Sequence, residues 1–292
     1  MQEEGYLQLM LRILHEGEDR HGRNGGTRSV FGERLEFNLK DGFPLLTTKR
    51  VFWRGVVEEL LWFLRGSTDA TELASKGIHI WDGNTSRAFL DSVGLHDLPE
   101  GSIGQGYGFQ WRCFGGTWPD RGDGVDQVRY VLEQLTSDPM GRRALLSAWN
   151  PKQLHRMALP PCHFTYLFYL SERDGLSCQM QMRSCDVGAG LPFNIASTAL
   201  FTTLLATLLH VPAHKIVIVT GDTHLYNEHL ESAQVQVERV PMQPPTLRVK
   251  KPAPVKDSSI DDKLAWLESL TFEDFDLDNY EYHPPLKYAM IV

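Results

Sequence analysis

The sequence predicts a single α+β domain that extends over residues 1–292. Three observations support this fold class. Short segments with the alternation of strands are mixed with a few longer segments that have the apolar spacing of helices. No internal repeat or low-complexity tract interrupts the chain. The hydrophobic fraction of 42% and the charged fraction of 23% are those of a globular protein that buries a sizeable core.

The first 80 residues are predicted to contain three helices and one strand. Residues 6–14 place apolar side chains on one helical face, and residues 30–39 tend to alternate as a strand does. The segment between them, HGRNGGTRS (21–29), predicts a flexible loop suited to a ligand. A second helix is expected over 54–65, and a third runs from Thr68, as its N-cap, to Gly77.

The remainder of the chain alternates between both kinds of element. Residues 92–124 are rich in glycine and aspartate, which predicts mostly loop around the unusual segment GQGYGFQWRCFGG. The elements predicted after it are a helix over 126–135, strands over 144–149, 163–170 and 176–182, a helix over 193–209, a strand over 215–220 and a surface connection over 251–262.

Composition excludes several classes of protein. A net charge of −8 is a poor electrostatic match to nucleic acid, although a local arginine cluster can still bind an anionic substrate. The four cysteines form no CxxC motif and no disulfide framework. The segment MQEEGYLQLM carries acids where a secretory signal needs basic residues, and the apolar stretch 195–209 is shorter than the ~20 residues of a membrane span. We therefore expect a soluble protein of a reducing compartment.

Glu59 is a carboxylate on an otherwise apolar helical stripe. Helical spacing places it one turn from Val56 and beside Trp62, whereas Glu58 can pair with Arg54 four residues earlier. A carboxylate on an apolar face is costly to ionise, so its pKa is expected to rise, as general acid–base chemistry requires. The alternative is a solvated glutamate at the rim of the helix.

Cys162 follows two prolines in ALPPCHF and is a candidate nucleophile. The alternative is a buried structural cysteine, because free cysteine often behaves as a small hydrophobic residue. A catalytic pair with His163 is not expected, since neighbours on an extended chain point to opposite faces. A nearby arginine is the expected source of thiolate character.

Arginines and one polar strand end suggest an anion site. Arginine forks suit phosphate oxygens, although each of these side chains alone is also compatible with an ordinary surface residue. His224 and Tyr226 in GDTHLY follow a predicted strand and are able to hold a sugar hydroxyl. The arginines beside predicted turns or strand ends are Arg23, Arg142, Arg143 and Arg183.

These segments, taken in order, resemble the thymidylate synthase family over nearly the whole chain. The motifs that carry the resemblance are FPLLTTKR, EELLWFLRGST, IHIWDGN, YGFQWR, SAWNPKQL, MALPPCHF, RSCDVGAGLPFNIAS and GDTHLY. The resemblance implies one catalytic domain with a mixed β-sheet packed against helices, and an obligate homodimer paired sheet to sheet. It also implies dUMP as substrate, 5,10-methylenetetrahydrofolate as one-carbon donor and no metal. A cytoplasmic location follows (the host cytoplasm for a viral protein), with neither membrane nor DNA as a partner.

The resemblance also assigns roles to residues of this sequence. Cys162 would add to C6 of the pyrimidine, Glu59 would assist proton movement near O4, and Tyr107 would assist removal of the C5 proton. The phosphate would be held by Arg23, Arg183 and Ser184, with Arg142 and Arg143 from the other subunit, and the ribose by His224 and Tyr226. The folate site would comprise Ile80, Trp81, Asn84, Leu159, Asp186, Gly190, Phe193 and Val292, with Asp186 also catalytic.

Asn194 is the expected reader of the base. Its amide oxygen accepts from uracil N3–H while its amide nitrogen donates to O4. Cytosine offers the opposite pattern, and relatives that act on dCMP carry aspartate at this position. The resemblance therefore implies selection of uracil.

Departures from the family pattern bear on the product. The family motif GPVYG is GQGYG in this chain, and the family motif YQRS is Gln181-Met182-Arg183-Ser184. A leucine of the family pattern is replaced by Ala189 and a tyrosine by Thr198. The loop RNGGT is one residue shorter than in the family, which leaves the role of Arg23 open. Smaller walls near the folate are expected to admit water, and phage hydroxymethylases share such departures. We therefore expect 5-hydroxymethyl-dUMP as product, with reductive methylation to dTMP as the alternative. A catalytically inactive binding or regulatory protein is a rival of another class.

Overall fold

A mixed six-stranded sheet forms the framework of the molecule, which a computed structural model describes at residues 2–120 and 122–291. Its strands are β1 (Glu18–Gly22), β2 (Gly25–Asn38), β3 (Leu145–Ser147), β4 (His163–Ser171), β5 (Gly175–Asp186) and β6 (Ala213–Tyr226). Their order across the sheet is β1-β2-β6-β5-β4-β3. Strands β5 and β6 are parallel and the other neighbours are antiparallel, so the expected α+β class with a mixed sheet is confirmed.

Helices and a small second sheet complete the described part of the chain. Strands β7 (Thr246–Val249) and β8 (Phe275–Asp278) pair antiparallel. The helices are α1 (Glu4–Glu16), α2 (Trp53–Leu64), α3 (Thr71–Ala74), α4 (Asp82–Thr85), α5 (Arg87–Ser92), α6 (Gly108–Cys113), α7 (Gln127–Ser137), α8 (Gly190–Leu209), α9 (Leu230–Val237) and α10 (Ile260–Glu268).

Helix α8 is the centre of the hydrophobic core. It is apolar on nearly all sides and packs between strands β5 and β6 and helix α2. The hydroxyls of Thr198 and Thr202 donate to carbonyls four residues earlier, which satisfies these polar groups inside the core. The helix is long and apolar enough to cross a membrane, but 78% of that segment is buried inside the protein, as in a core helix.

The loop predicted over 21–29 is wrong, because this segment forms a β-hairpin. Gly22 pairs with Gly25, so Arg23 and Asn24 alone make the turn between β1 and β2. Gly25 has a φ of 117°, a region that glycine adopts without the strain that a side chain would cause. The pairing of β1 with β2 was not predicted from the sequence, because glycines interrupt the alternation of side chains by which strands are identified.

Four further elements differ from the prediction. The third helix is only Thr71–Ala74, because the Asp69 carboxylate, and not Thr68, accepts the hydrogen bond from the Thr71 backbone N–H. Helix α6 forms inside the loop predicted over 92–124, and helix α10 begins inside the connection predicted over 251–262. Strand β6 continues to Tyr226, so GDTHLY belongs to the strand itself.

The sheet face opposite α8 is open in the single chain. Leu145, Leu167 and Tyr169 lie on this face, and Tyr169 is 65% exposed. Gln181 pairs in register with Thr165 and therefore belongs to the same face. Apolar side chains on an uncovered sheet face indicate a surface suited to a partner.

Candidate active site

Cys162 lies at the entrance to β4, where two other segments hold it. Its backbone N–H donates to the Tyr107 hydroxyl at 2.8 Å. The Arg183 guanidinium is 3.9 Å from the Cys162 sulfur and donates to the carbonyls of Pro160 and Pro161 at 2.8 and 2.9 Å. The double proline therefore supplies fixed acceptors that orient the arginine toward the sulfur.

Burial, and not the arginine, dominates the ionisation of the Cys162 thiol. Burial raises its pKa, and the positive charge of Arg183 only partly opposes this effect. Arg183 is thus the nearby arginine that favours the thiolate, as expected, but burial outweighs its effect on the pKa of Cys162. His163 offers no base, because its Nδ1 lies 2.9 Å from the Tyr166 hydroxyl and burial lowers its pKa to about 3.

Glu59 lies on helix α2 and receives one strong hydrogen bond. The Trp81 indole N–H donates to Glu59 Oε1 at 2.8 Å. Burial raises the pKa of Glu59 to about 7, and the Trp81 hydrogen bond only partly opposes that rise. A carboxyl group with this pKa both donates and accepts protons near neutral pH. The pairing expected for Glu58 is wrong: Glu58 contacts Lys76 at 2.6 Å, while Arg54 lies over the Phe272 ring.

Tyr107 connects the glutamate to the cysteine. It stacks on Phe63 with ring centroids 4.9 Å apart and presents an edge to Trp81 at 5.7 Å. Its φ of 24° lies in a region that side chains rarely adopt, at the start of helix α6. The ring packing and the hydrogen bond with Cys162 hold this backbone in place, so Glu59, Trp81, Tyr107 and Cys162 form one continuous wall.

Asn194 and Asp186 lie where β5 passes into α8. The Asn194 side-chain amide has no hydrogen-bond partner among the described residues, while its backbone carbonyl accepts from the Thr198 hydroxyl at 2.7 Å. Asp186 Oδ1 accepts the backbone N–H groups of Gly188 and Ala189 at 2.9 and 3.1 Å. The amide of Asn194 is thus free to pair with a ligand.

The polar end of β6 lies beside the strand that carries Arg183. Ser184 pairs in register with Asp222, and Asp222 Oδ1 lies 2.8 Å from His224 Nδ1. Tyr226 packs its ring edge against His224 with centroids 5.2 Å apart. Burial raises the pKa of Tyr226, and the charge of Arg23 opposes this effect, so the hairpin turn brings Arg23 close to the same site.

Arg142 and Arg143 lie elsewhere in the chain. Both are exposed in the connection between α7 and β3, and Arg143 lies 3.8 Å from Asp138. Strand β3 is the edge strand farthest from the β1–β2 hairpin that carries Arg23. The single chain therefore does not bring these two arginines together with the hairpin arginine.

An open cleft of about 440 Å³ lies next to helix α4. Ile80, Asn84, Phe52 and Met290 are among its lining residues, so it includes two of the expected folate residues. Leu159 and Phe193 are partly buried against the core, and Gly190 begins α8. Val292 falls outside the described residues. No group of histidine, cysteine and acidic residues in the described ranges has an arrangement suited to a metal ion.

Sequence reasoning missed the groups that surround Asp186. His229 Nδ1 is 3.7 Å from Asp186 Oδ1, and the buried Lys49 ammonium donates to the Gly188 carbonyl. Lys49 lies in FPLLTTKR, which carries the family resemblance, but nothing in that motif marks the lysine as part of the site. The signal for His229 was its position three residues after GDTHLY, and a lone histidine is weak evidence of a site.

Comparisons with known proteins give the family. The profile described as thymidylate synthase matches residues 4–292. Thymidylate synthase of Homo sapiens is 46% identical over 293 residues, covering 99% of this chain and 89% of that protein. Bifunctional dihydrofolate reductase-thymidylate synthases of Leishmania amazonensis and Zea mays are 47% and 46% identical, and the chain spans about half of their length (55% and 54%). The chain belongs to the thymidylate synthase family.

Proposed function

We propose that this protein is a thymidylate synthase, which uses 5,10-methylenetetrahydrofolate to convert dUMP to dTMP with release of dihydrofolate. One observation carries the proposal: the wall formed by Glu59, Trp81, Tyr107 and Cys162. It combines a nucleophile, a proton-transfer group and an aromatic surface. The names of the relatives, two of which are bifunctional proteins with a second enzyme activity, support the same reaction.

The residues divide the chemistry among them. The Cys162 thiolate forms a bond to C6, and the electron pair of the C5=C6 bond moves toward O4, where Glu59 is placed to supply or accept a proton. The carbon at C5 then becomes nucleophilic and takes the one-carbon unit. The Tyr107 hydroxyl, next to Cys162, assists removal of the C5 proton, which leaves a methylene on C5 as its bond to the folate nitrogen breaks. Hydride from the released tetrahydrofolate would then reduce this methylene to the methyl group of dTMP, as the C5=C6 bond re-forms, the Cys162 thiolate leaves and dihydrofolate is produced.

Substrate binding is proposed for the polar edge of the sheet. The unpaired Asn194 amide offers one acceptor and one donor, which matches uracil and not cytosine. Arg23, Arg183 and Ser184 would hold the phosphate, while His224 and Tyr226 would hold the ribose hydroxyl. These groups flank Cys162 on adjacent strands, which suits a nucleotide that lies across the ends of β5 and β6.

The second subunit is part of the proposal. The open sheet face with Leu167 and Tyr169 would pair with the same face of a second copy. Such pairing would bring the exposed Arg142 and Arg143 of one copy to the phosphate site of the other. We propose the cytoplasm as the location.

Formation of 5-hydroxymethyl-dUMP, which the departures led us to expect, has weaker support than dTMP formation. Gln181 lies on the open sheet face and Met182 is buried in the core, so neither belongs to the lining of the folate cleft. The relatives at 46–47% identity are named as thymidylate synthases.

Covalent trapping tests the proposal. In 5-fluoro-dUMP a fluorine replaces the C5 hydrogen that the reaction removes as a proton. With this nucleotide and 5,10-methylenetetrahydrofolate, the adduct on Cys162 is therefore expected to persist and to increase the intact mass of the protein. Cys162→Ala is expected to abolish the adduct, whereas Cys178→Ala, at another free cysteine, is expected to keep it. An unmodified wild-type protein would favour the inactive binding protein instead.

A further inference from the structure

Residues 280–291 form an extended C-terminal strap, and its last described residues reach the active site. The Tyr288 hydroxyl donates to Gln236 Oε1 at 2.7 Å, and the Lys49 ammonium lies 4.1 Å from the centre of the Tyr288 ring. The carbonyl of Ala289 lies 2.8 Å from His229 Nε2. Met290, the next residue, lines the cleft that contains Ile80 and Asn84. The position of the strap therefore determines one wall of the folate cleft.

His229 is the residue that contacts both the strap and Asp186. It is 1% exposed and lies in the short helical turn Asn227–His229, just after β6. Its second nitrogen, Nδ1, is 3.7 Å from Asp186 Oδ1. Gly188 leaves the space for this arrangement, because a Cβ there would lie 2.8 Å from His229 Nδ1 and 2.5 Å from Tyr288.

The hydrogen-bond geometry defines where the protons of His229 are. A carbonyl only accepts, so Nε2 must carry a proton to bind Ala289. In a neutral ring Nδ1 would then be a buried lone pair that faces a carboxylate oxygen, and it has no hydrogen-bond partner among the described residues. A proton on Nδ1 removes this conflict, since it is then directed toward the Asp186 carboxylate.

The charged groups around His229 agree with a second proton. Burial lowers the pKa of His229. The Asp186 carboxylate and the Ala289 carbonyl raise this pKa by more than burial lowers it, so the pKa of His229 lies above its usual value. Lys49 opposes protonation, and the Tyr226 and Tyr288 rings present edges at 5.6 and 5.2 Å. Asp186 on β5, Lys49 before α2, Tyr226 on β6 and Tyr288 on the strap are thus the titratable groups that face it.

We propose that doubly protonated His229 is a positioning residue that holds the C-terminal strap and Asp186 together, and so fixes the wall of the folate cleft that Met290 forms. The inference rests on the proposed function for its catalytic consequence, because the position of this wall affects activity only when a folate is bound. The strap attachment itself is a property of the ligand-free protein. It can therefore be tested independently of activity.

Native-state trypsin cleavage after Lys287 measures how often the strap detaches, because Lys287 lies on the strap and its carbonyl accepts from Ser232. His229→Asn is expected to accelerate this cleavage about tenfold near pH 6.5, as expected for loss of a charged hydrogen bond. The matched control is His210→Asn, because His210 Nε2 also lies 2.8 Å from a backbone carbonyl, that of Pro254, away from the strap. This control is expected to cleave at the wild-type rate.

The pH dependence separates a charged bridge from a merely structural ring. Stabilisation by a raised histidine pKa is complete at low pH and is lost as pH rises through the folded-state value. The ratio of the His229→Asn cleavage rate to the wild-type rate, measured at about pH 6.5 and 8.5, is therefore expected to fall toward one at the higher pH, whereas the ratio for His210→Asn stays near one at both. His229→Gln, which keeps a donor for Ala289 but no charge, is expected to cleave at an intermediate rate with no such pH dependence.

Equal cleavage of His229→Asn and wild-type protein would overturn the proposal, as would pH dependence retained in His229→Gln. If His229→Asn does not fold, the pH behaviour of His229→Gln decides alone. In active enzyme, His229→Gln is expected to raise KM for the folate several-fold more than KM for dUMP. Absence of any turnover in the wild-type protein would contradict the proposed function and leave the cleavage result intact.

Discussion

Replacing Glu59 by glutamine is expected to stabilise the protein while it abolishes activity. The pKa of Glu59 is about 7 in the folded protein and 4.5 for an ordinary glutamate, so ionisation opposes folding. The interval of about 2.5 pH units, at about 1.36 kcal/mol for each, gives about 3 kcal/mol. Because the folded state holds the proton more tightly, stability falls as pH rises from about 4.5 to 7. Glutamine removes this penalty.

Urea unfolding at fixed protein concentration measures the effect. Glu59→Gln is expected to raise the free energy of unfolding by about 3 kcal/mol near pH 8.5 and by less than about 1 kcal/mol near pH 5. Glu58→Gln is the matched control, since the neighbouring carboxylate contacts Lys76 at 2.6 Å and its loss is not expected to stabilise at either pH. Equal stability of Glu59→Gln and wild type near pH 8.5 would refute the argument that burial raises the pKa of Glu59.

Three further predictions address the same site. Trp81→Phe removes the hydrogen bond to ionised Glu59, so the pH midpoint of Glu59 ionisation, followed by difference infrared spectra, is expected to rise by about one pH unit. Trp266→Phe, whose indole binds the Pro252 carbonyl, is expected to leave this midpoint unchanged. Asn194→Asp is expected to shift preference from dUMP toward dCMP, by up to about 10⁴ in relative kcat/KM; unchanged selectivity would exclude Asn194 as the base reader. Tyr107→Phe is expected to lower kcat about 10²-fold or more, and an unchanged kcat would exclude proton transfer by its hydroxyl.

Local patterns in the sequence predicted the long elements of the fold. Helices α1 and α2 and strands β4 and β5 were recognised because apolar periodicity reports which face is buried, whereas α8 was recognised from its long apolar run. The β1–β2 hairpin was missed, since glycines carry no side chain to alternate. The end of β6 was missed because its polar residues belong to the site and break the apolar pattern that marks a buried strand.

The electrostatics of the candidate site could be predicted only in part. The raised pKa of Glu59 followed from its place on an apolar stripe, which is a local property of one helix. The ionisation of Cys162 depends on how deeply three separate segments bury it, and no pattern along the chain reports that. The contact between His229 and Asp186 joins residues 43 positions apart, so only the folded chain reveals it.

The product formed from dUMP distinguishes thymidylate synthesis from hydroxymethylation. Purified protein is incubated with dUMP and 5,10-methylenetetrahydrofolate, while dihydrofolate is followed by absorbance and the nucleotide by mass spectrometry. We predict one dihydrofolate for each dTMP, and loss of both in Cys162→Ala. A nucleotide one oxygen heavier than dTMP, formed without dihydrofolate, would contradict the account.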